Sequence, residues 1–122
     1  MKPRYYYKNE ASQFAFIRIP RIMMTEEIFS PLSIQSKILY GLLLDRMGEA
    51  KRNNWLDEEN KVYVIYPISE IMEDMNISKK SAIKSLSELV DIGLVEKKQR
   101  GFGMPSCLYI KKFVTNPAEH VI

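Results

Sequence analysis

Apolar residues recur at helical spacing in three stretches of the chain and cluster at strand spacing in four others, and their order predicts the architecture. Phe14 to Pro20 alternates, so an extended segment ending at the proline is expected. Thr25 before Glu26 and Glu27 has the composition of a short helix start, because acids suit the positive end of a helix dipole, and Ser30-Pro31 breaks it. The strongest helix runs from Leu32 or Ser33 to about Arg52. Leu32, Ile38, Leu39, Leu42, Leu43 and Met47 form one broad face of it, and Ile34, Tyr40 and Leu44 place apolar groups on the remaining sides. A helix apolar nearly all round must be covered nearly all round. The leftover surface at Ile34, Tyr40 and Leu44 points to a homodimer interface, the alternative being cover by the N-terminal segments of the same chain.

Lys51 to Asn60 is polar, Asn-rich and without period, and reads as a loop that Trp55 anchors to the core. Val62 to Tyr66 is a short β-branched and aromatic strand ended by Pro67. Two helices follow. Ile68, Ile71, Met72 and Met75 recur at helical spacing in the first; Asn76-Ile77 makes a turn, and Ser78 caps the second. From Ser78 to Ile92, Ala82, Ile83, Leu86, Leu89 and Val90 are expected on the buried face, with Lys80, Ser81, Lys84, Ser85 and Glu88 opposite, and Gly93 stops the helix. Leu94 to Lys98 and Leu108 to Lys112 are strands joined by a tip from Gln99 to Cys107, in which Gly101 and Gly103 permit tight turns. Phe102 is expected to pack beneath the tip, with a wedge near a nucleic-acid sugar as the alternative. Cys107 is expected in the core.

The order of elements specifies an α+β fold: a winged helix-turn-helix with a long central helix, an N-terminal extension and a small antiparallel sheet carrying the wing. Residues 1–13 form an arm, 14–113 the domain, and 114–122 a tail toward a C-terminal domain outside this chain.

Charge adds a polarity to this picture. The net charge is only +3, but residues 1–24 hold Lys2, Arg4, Lys8, Arg18 and Arg21 against Glu10 alone. Residues 75–112 hold Lys79, Lys80, Lys84, Lys97, Lys98, Arg100, Lys111 and Lys112 against Glu88, Asp91 and Glu96. The segment between them is acidic. Such segregation suits a protein that turns one face to a polyanion. Small and cationic side chains near the start of the second helix (Ser78, Lys79, Lys80, Ser81, Lys84, Ser85) let the backbone approach a duplex while the lysines reach phosphates or guanine edges. The wing residues Lys97, Lys98, Arg100, Gly101, Phe102 and Gly103 would follow the backbone or the minor groove. In the arm, Lys2, Arg4, Tyr5 and Lys8 could track phosphates, although Tyr5 to Tyr7 as cover for the core or a dimer partner is the simpler expectation.

Other classes of function find little support. No apolar run reaches the roughly 18 residues of a membrane span, and the first eight residues lack the apolar centre of a signal peptide. One cysteine allows no internal disulfide, so a cytoplasmic location is expected. No cofactor is expected. No metal site is expected either, since Asp57, Glu58 and Glu59 lack a second cluster of ligands and read as a solvated loop. With one histidine, His120, and no paired acid and base, the chain is not expected to be an enzyme.

Four runs in order, YGLLLDRM (Tyr40 to Met47), NNWLDEENKVYVIYP (Asn53 to Pro67), SAIKSLSEL (Ser81 to Leu89) and GLVEKKQRGFG (Gly93 to Gly103), resemble the N-terminal domain of replication initiator protein A of theta-replicating plasmids of Gram-positive, staphylococcal-type bacteria. The likeness runs from about Phe14 to Phe113 and departs near Pro105, where the family favours a polar residue. It implies a domain that binds repeated double-stranded sites at a plasmid origin as a dimer, with host replication proteins engaged through a separate C-terminal domain. Within the first run, Asp45 and Arg46 are expected to form a structural ion pair. Outside the resemblance, a winged regulator of another operator and a protein-interaction module share the same shape.

Overall fold

In the computed structural model, residues 1–8 and 14–113 are described, and the element order is α1 (Ile22–Thr25), a 3-10 turn (Glu27–Phe29), α2 (Ile34–Met47), β1 (Val64–Ile65), α3 (Ile68–Met75), α4 (Lys79–Asp91), β2 (Val95–Lys98) and β3 (Cys107–Ile110). The rest of the expected arm and the expected tail lie outside the described residues. The strands form one antiparallel sheet in the order β1-β3-β2, with Val64 opposite Leu108 and Val95 opposite Ile110. This is the winged helix-turn-helix expected from the sequence, with β2 and β3 as the wing.

The core lies where α2, α3, α4 and the sheet meet. Met23, Leu39, Tyr40, Leu43, Val64, Ile71, Leu89, Val95 and Leu108 are its most completely buried side chains. α2 packs on α4 and β1, α3 on α4, and α4 on β2. Full burial of an aliphatic or aromatic side chain contributes about 1.5–3 kcal/mol, so this cluster is the main source of stability. Trp55 is half-buried against the core, as an anchor of the long loop should be, and Cys107 is buried in β3.

Local chemistry sets the helix ends. The Ser33 hydroxyl caps α2 by accepting from the Ser36 N–H (3.2 Å), and Ser78 caps α4 by accepting from the Ser81 N–H (3.2 Å). Asn76, left-handed at φ 54°, ends α3, and the Ile77 N–H reaches back to the Met72 carbonyl (3.1 Å). That one residue turns the chain between the two helices. Gly93 at φ 91° does the same after α4, with the Leu94 N–H donating to the Leu89 carbonyl (3.0 Å).

Several boundaries differ from those read from the pattern. Thr25 ends α1 instead of opening a helix, and Arg21 stands at the start with no side-chain cap. α2 stops at Met47, five residues before Arg52, because the chain enters successive turns from Gly48 that bring the Trp55 N–H onto the Ala50 carbonyl (2.8 Å). Phe14 to Pro20 joins no sheet; residues 14–18 are exposed, and the segment instead crosses α2 at Gly41. There the Arg18 carbonyl lies 2.9 Å from where a Cβ would stand, so only glycine admits the crossing.

Arg46 does not pair with Asp45. Adjacent helix residues diverge by about 100°, and Arg46 turns instead toward α3. Its guanidinium lies 3.8 Å from the Tyr66 ring centroid, donates to the Ile65 carbonyl (2.9 Å) and Glu70 (3.1 Å), and approaches Asp74 (3.7 Å). Tyr66 donates to Asp74 at 2.6 Å, and burial followed by that bond pushes its phenol pKa far up. One arginine thereby ties α2, β1 and α3 together.

Candidate nucleic-acid interface

The outward stripe of α4 follows from its burial. Ala82, Ser85, Leu86 and Leu89 are buried, and Lys79, Lys80, Ile83, Lys84, Ser87 and Asp91 are exposed. Lys80, Lys84, Ser87 and Asp91 stand within about 60° of one another on the helix, so the stripe runs nearly parallel to its axis. Ser78 is exposed, and its hydroxyl lies 3.1 Å from that of half-buried Ser81. The first turn of α4 therefore carries two lysines beside a pair of small capping hydroxyls.

Two residues of this helix are placed otherwise than expected. Ser85 is 1% exposed, about 140° around from Lys80, and its hydroxyl faces Gln35 of α2 at 3.5 Å, so it cannot read a base. Ile83, expected in the core, is 45% exposed beside Lys84. The same wheel that removes Ser85 brings Ile83 and Ser87 into the stripe. The available signal was the Lys80, Lys84, Ser87 and Asp91 spacing, which centres the outer face away from Ser85.

α4 is held at its far end by Glu88. Its Oε1 accepts from the Ser33 N–H (2.7 Å) and lies 3.0 Å from the Ser36 hydroxyl, which puts a carboxylate at the N-terminus of α2. Burial raises the Glu88 pKa, but the bonds from Ser33 and Ser36 and the nearby Lys84 outweigh it, and the carboxyl is held below its ordinary value. The contact fixes how α4 lies across α2.

The wing supplies a second basic element. Lys97, Lys98, Arg100, Gly101, Phe102 and Gly103 are exposed in it. Lys111 is engaged with Glu96 (3.2 Å), both on the hairpin surface. Arg100 folds back, its Nε donating to the Pro105 carbonyl (2.9 Å), which stiffens the tip. Phe102 does not pack beneath the wing: it is 107% exposed, because the turn carrying it projects beyond the sheet. In the arm, Lys2, Arg4, Tyr5 and Lys8 are exposed, and Tyr5 to Tyr7 do not cover the core. Tyr6 meets Phe14 edge-on, with ring centroids 6.5 Å apart.

The expected dimer patch is not one surface. Tyr40 is only 2% exposed; its hydroxyl donates to the Lys111 carbonyl (2.7 Å), its ring stacks on Phe113, and burial raises its pKa. The chain's own end strand covers it. Ile34 stands apart, exposed at the start of α2, whereas Leu44 is half-buried about 15 Å along the axis, in a groove of about 700 Å³ that Tyr40 also lines, together with Met47, Val62 and Tyr109.

Asp57, the leading member of the acidic loop, is occupied by its own chain. It accepts from the N–H groups of Glu59 and Lys61 (both 2.8 Å) and from the Tyr109 hydroxyl (3.1 Å). Desolvation opposes its ionisation, yet these bonds prevail and lower its pKa. Among the described residues, no group of three or more His, Cys, Asp or Glu side chains is placed to hold a metal ion, and no helix is long and apolar enough to cross a membrane.

The profile of the family described as replication initiator protein A (RepA) N-terminus matches residues 15–122. The chain belongs to that family. Among curated proteins it is similar to a "41 kDa protein" of Lactobacillus helveticus, 26% identical over 99 residues that make up 81% of this chain. The match spans only 28% of that relative's length. Solved structures agree in fold: one described as the N-terminal domain of a DNA binding protein is 30% identical with a TM-score of 0.78, covering 95% of this chain and 88% of that one. Another, described as a Rep-DNA complex, is 31% identical with a TM-score of 0.77, covering 93% and 87%. A third, an MDR initiator, is 26% identical with a TM-score of 0.75, covering 93% and 90%. The RepA family relationship thus extends over the arm-proximal segment, the helix-turn-helix and the wing alike.

Proposed function

We propose that this domain is the sequence-specific, double-stranded DNA-binding part of a plasmid replication initiator, acting as a homodimer on repeated sites at the origin. The observation that carries the proposal is the exposed stripe of α4: two lysines and a pair of capping hydroxyls in its first turn, with Ile83, Lys84 and Ser87 behind them. Seated in the major groove, Lys80 and Lys84 reach phosphates or guanine edges, and Ile83 is suited to a thymine methyl. Lys97, Lys98 and Arg100 of the wing hold the adjacent backbone, and Lys2, Arg4 and Lys8 extend the electrostatic track. A similar fold titled as a Rep-DNA complex supports the choice of DNA as partner.

The domain acts by binding, without catalysis and without a cofactor, in the cytoplasm where a plasmid is copied. Exposed Ile34 and the groove beside Leu44 are the two candidate surfaces for pairing copies. Host replication proteins engage the longer initiator through sequence beyond this domain. A mobility shift with the duplex repeats of the encoding plasmid against random duplex, at physiological salt and with solution mass measured in parallel, tests the proposal. Preference for the repeats by a species of twice the monomer mass is expected. Equal affinity for random duplex would overturn origin recognition, and a monomeric mass on and off DNA would overturn the dimer.

A further inference from the structure

The apex of the wing holds an aromatic ring that the fold does not use. The Met104 N–H donates to the Gly101 carbonyl (3.2 Å), and Gly103 takes φ +77°. Residues 101–104 are therefore a type II turn, in which the third position requires a positive φ and the second, Phe102, is thrust outward. Beneath the turn, the bond from Arg100 to the Pro105 carbonyl closes the loop. A ring held in water on a stiffened support forgoes roughly 1.5–3 kcal/mol of available burial.

What surrounds the ring says what it fits. Lys97 and Lys98 are consecutive in β2, so their side chains stand on opposite sides of the hairpin, and Arg100 stands nearer the tip. The tip is a narrow apolar blade with cations on either flank. A docking site for another protein takes an apolar patch of several hundred Å², which one ring and the half-exposed Met104 do not make. A slot floored by base-pair edges, whose faces a ring can reach by opening one step, and bounded by two anionic rims matches better. The minor groove of duplex DNA, about 6 Å wide with phosphates on both edges, is such a slot.

We propose that Phe102 is a wedge that enters the minor groove and inserts between two adjacent base pairs, partly unstacking that step and bending the duplex. The proposal rests on duplex binding through α4. Unstacking costs a few kcal/mol per step, offset by burial of the ring and by the phosphate contacts of Lys97, Lys98 and Arg100. Because pyrimidine–purine steps deform most easily, the wedge adds a sequence preference at a position α4 does not touch. In an initiator it also creates a weakened step at a fixed distance from each site.

The test uses a duplex selected by the wild-type chain from a random library, with 2-aminopurine placed at successive adenine positions through and beyond the protected site. Binding is scored first by mobility shift. A several-fold rise in fluorescence at a single step is expected for the wild type. Phe102→Ala should abolish the rise while keeping the major-groove footprint, and Phe102→Leu should retain most of it, since any apolar wedge unstacks. The proposal is overturned if no position responds on bound wild-type duplex, or if the rise survives Phe102→Ala. A change of solution mass in Phe102→Ala with an unaltered rise would assign the ring to a second copy and overturn it equally. Failure of the wild type to select any duplex would appear at the mobility-shift stage and overturn the α4 assignment itself.

Discussion

Glu88 of α4 and Ser33 at the start of α2 are joined by a 2.7 Å hydrogen bond from the Ser33 N–H to the Glu88 carboxylate, across 55 residues of chain. The bond completes a helix cap from outside the helix. Glu88→Ala removes an acceptor from an otherwise orphaned N–H, and a loss of about 1 kcal/mol is expected in urea denaturation. The pH dependence has a definite sign. Because the folded-state pKa is lowered, the contribution is fully present above the ordinary value of 4.5 and fades as pH falls through the lower folded value. The stability gap between wild type and Glu88→Gln should therefore be flat above the ordinary value of 4.5 and close as pH falls through the lowered folded value. A gap that widened on acidification would contradict the assignment.

Lys84→Ala leaves the helix intact, since alanine is the best helix former and the side chain is exposed. Circular dichroism should be unchanged. If Lys84 meets a phosphate, affinity falls by a similar factor on selected and random duplex, and the slope of log K against log salt drops by about one unit. A salt titration of binding reads both quantities.

Ser85 and Ser87 separate structure from recognition. Ser85→Lys forces an ammonium into the contact with Gln35, and a loss of about 2–4 kcal/mol is expected in thermal or chemical unfolding. Ser87→Lys sits on the exposed stripe and should leave stability within about 0.5 kcal/mol while raising affinity for any duplex.

Gly41→Ala sets two effects against each other. Alanine gains about 1 kcal/mol of helix propensity over glycine. The added Cβ would lie 2.9 Å from the Arg18 carbonyl and 3.0 Å from the Ile19 side chain, and backbone cannot step aside as a flexible side chain can. Displacement of the crossing segment is expected to win, with a net loss of about 1–3 kcal/mol and faster proteolytic cleavage near residues 14–21. A more stable variant with unchanged cleavage would show that the crossing is loose.

The sequence was most legible where one covalent preference decides a shape. Ser33, Ser78, Asn76 and Gly93 mark helix ends by their own chemistry, and each acts as its residue type suggests. It was least legible where a long-range partner decides. Tyr40 was indistinguishable from an interface residue until the end of β3 and Phe113 came over it, and Arg46 passed over its neighbour Asp45 for residues in the next helix. Within the candidate interface the basic residues were correctly placed on exposed surface, but Ser85 and Ile83 exchanged faces. A helix wheel centred on two lysines misjudges the arc edges, and only the packing of α4 against α2 fixes its rotation.

The strand order has a mechanical meaning. β3 lies between β2 and β1, so its Cys107–Leu108 end is bonded on both sides, and the Tyr40 hydroxyl grips the chain just past its other end at Lys111. The hairpin is thus a short cantilever whose root is clamped on both sides as far as Cys107. A load arriving at its tip is shared with Val64 and Ile65 and with α2 before the strands bend. The reach of the wing relative to α4 is therefore calibrated by a segment from the middle of the chain, and a change of length between α2 and α3 would retune it without touching a single basic residue.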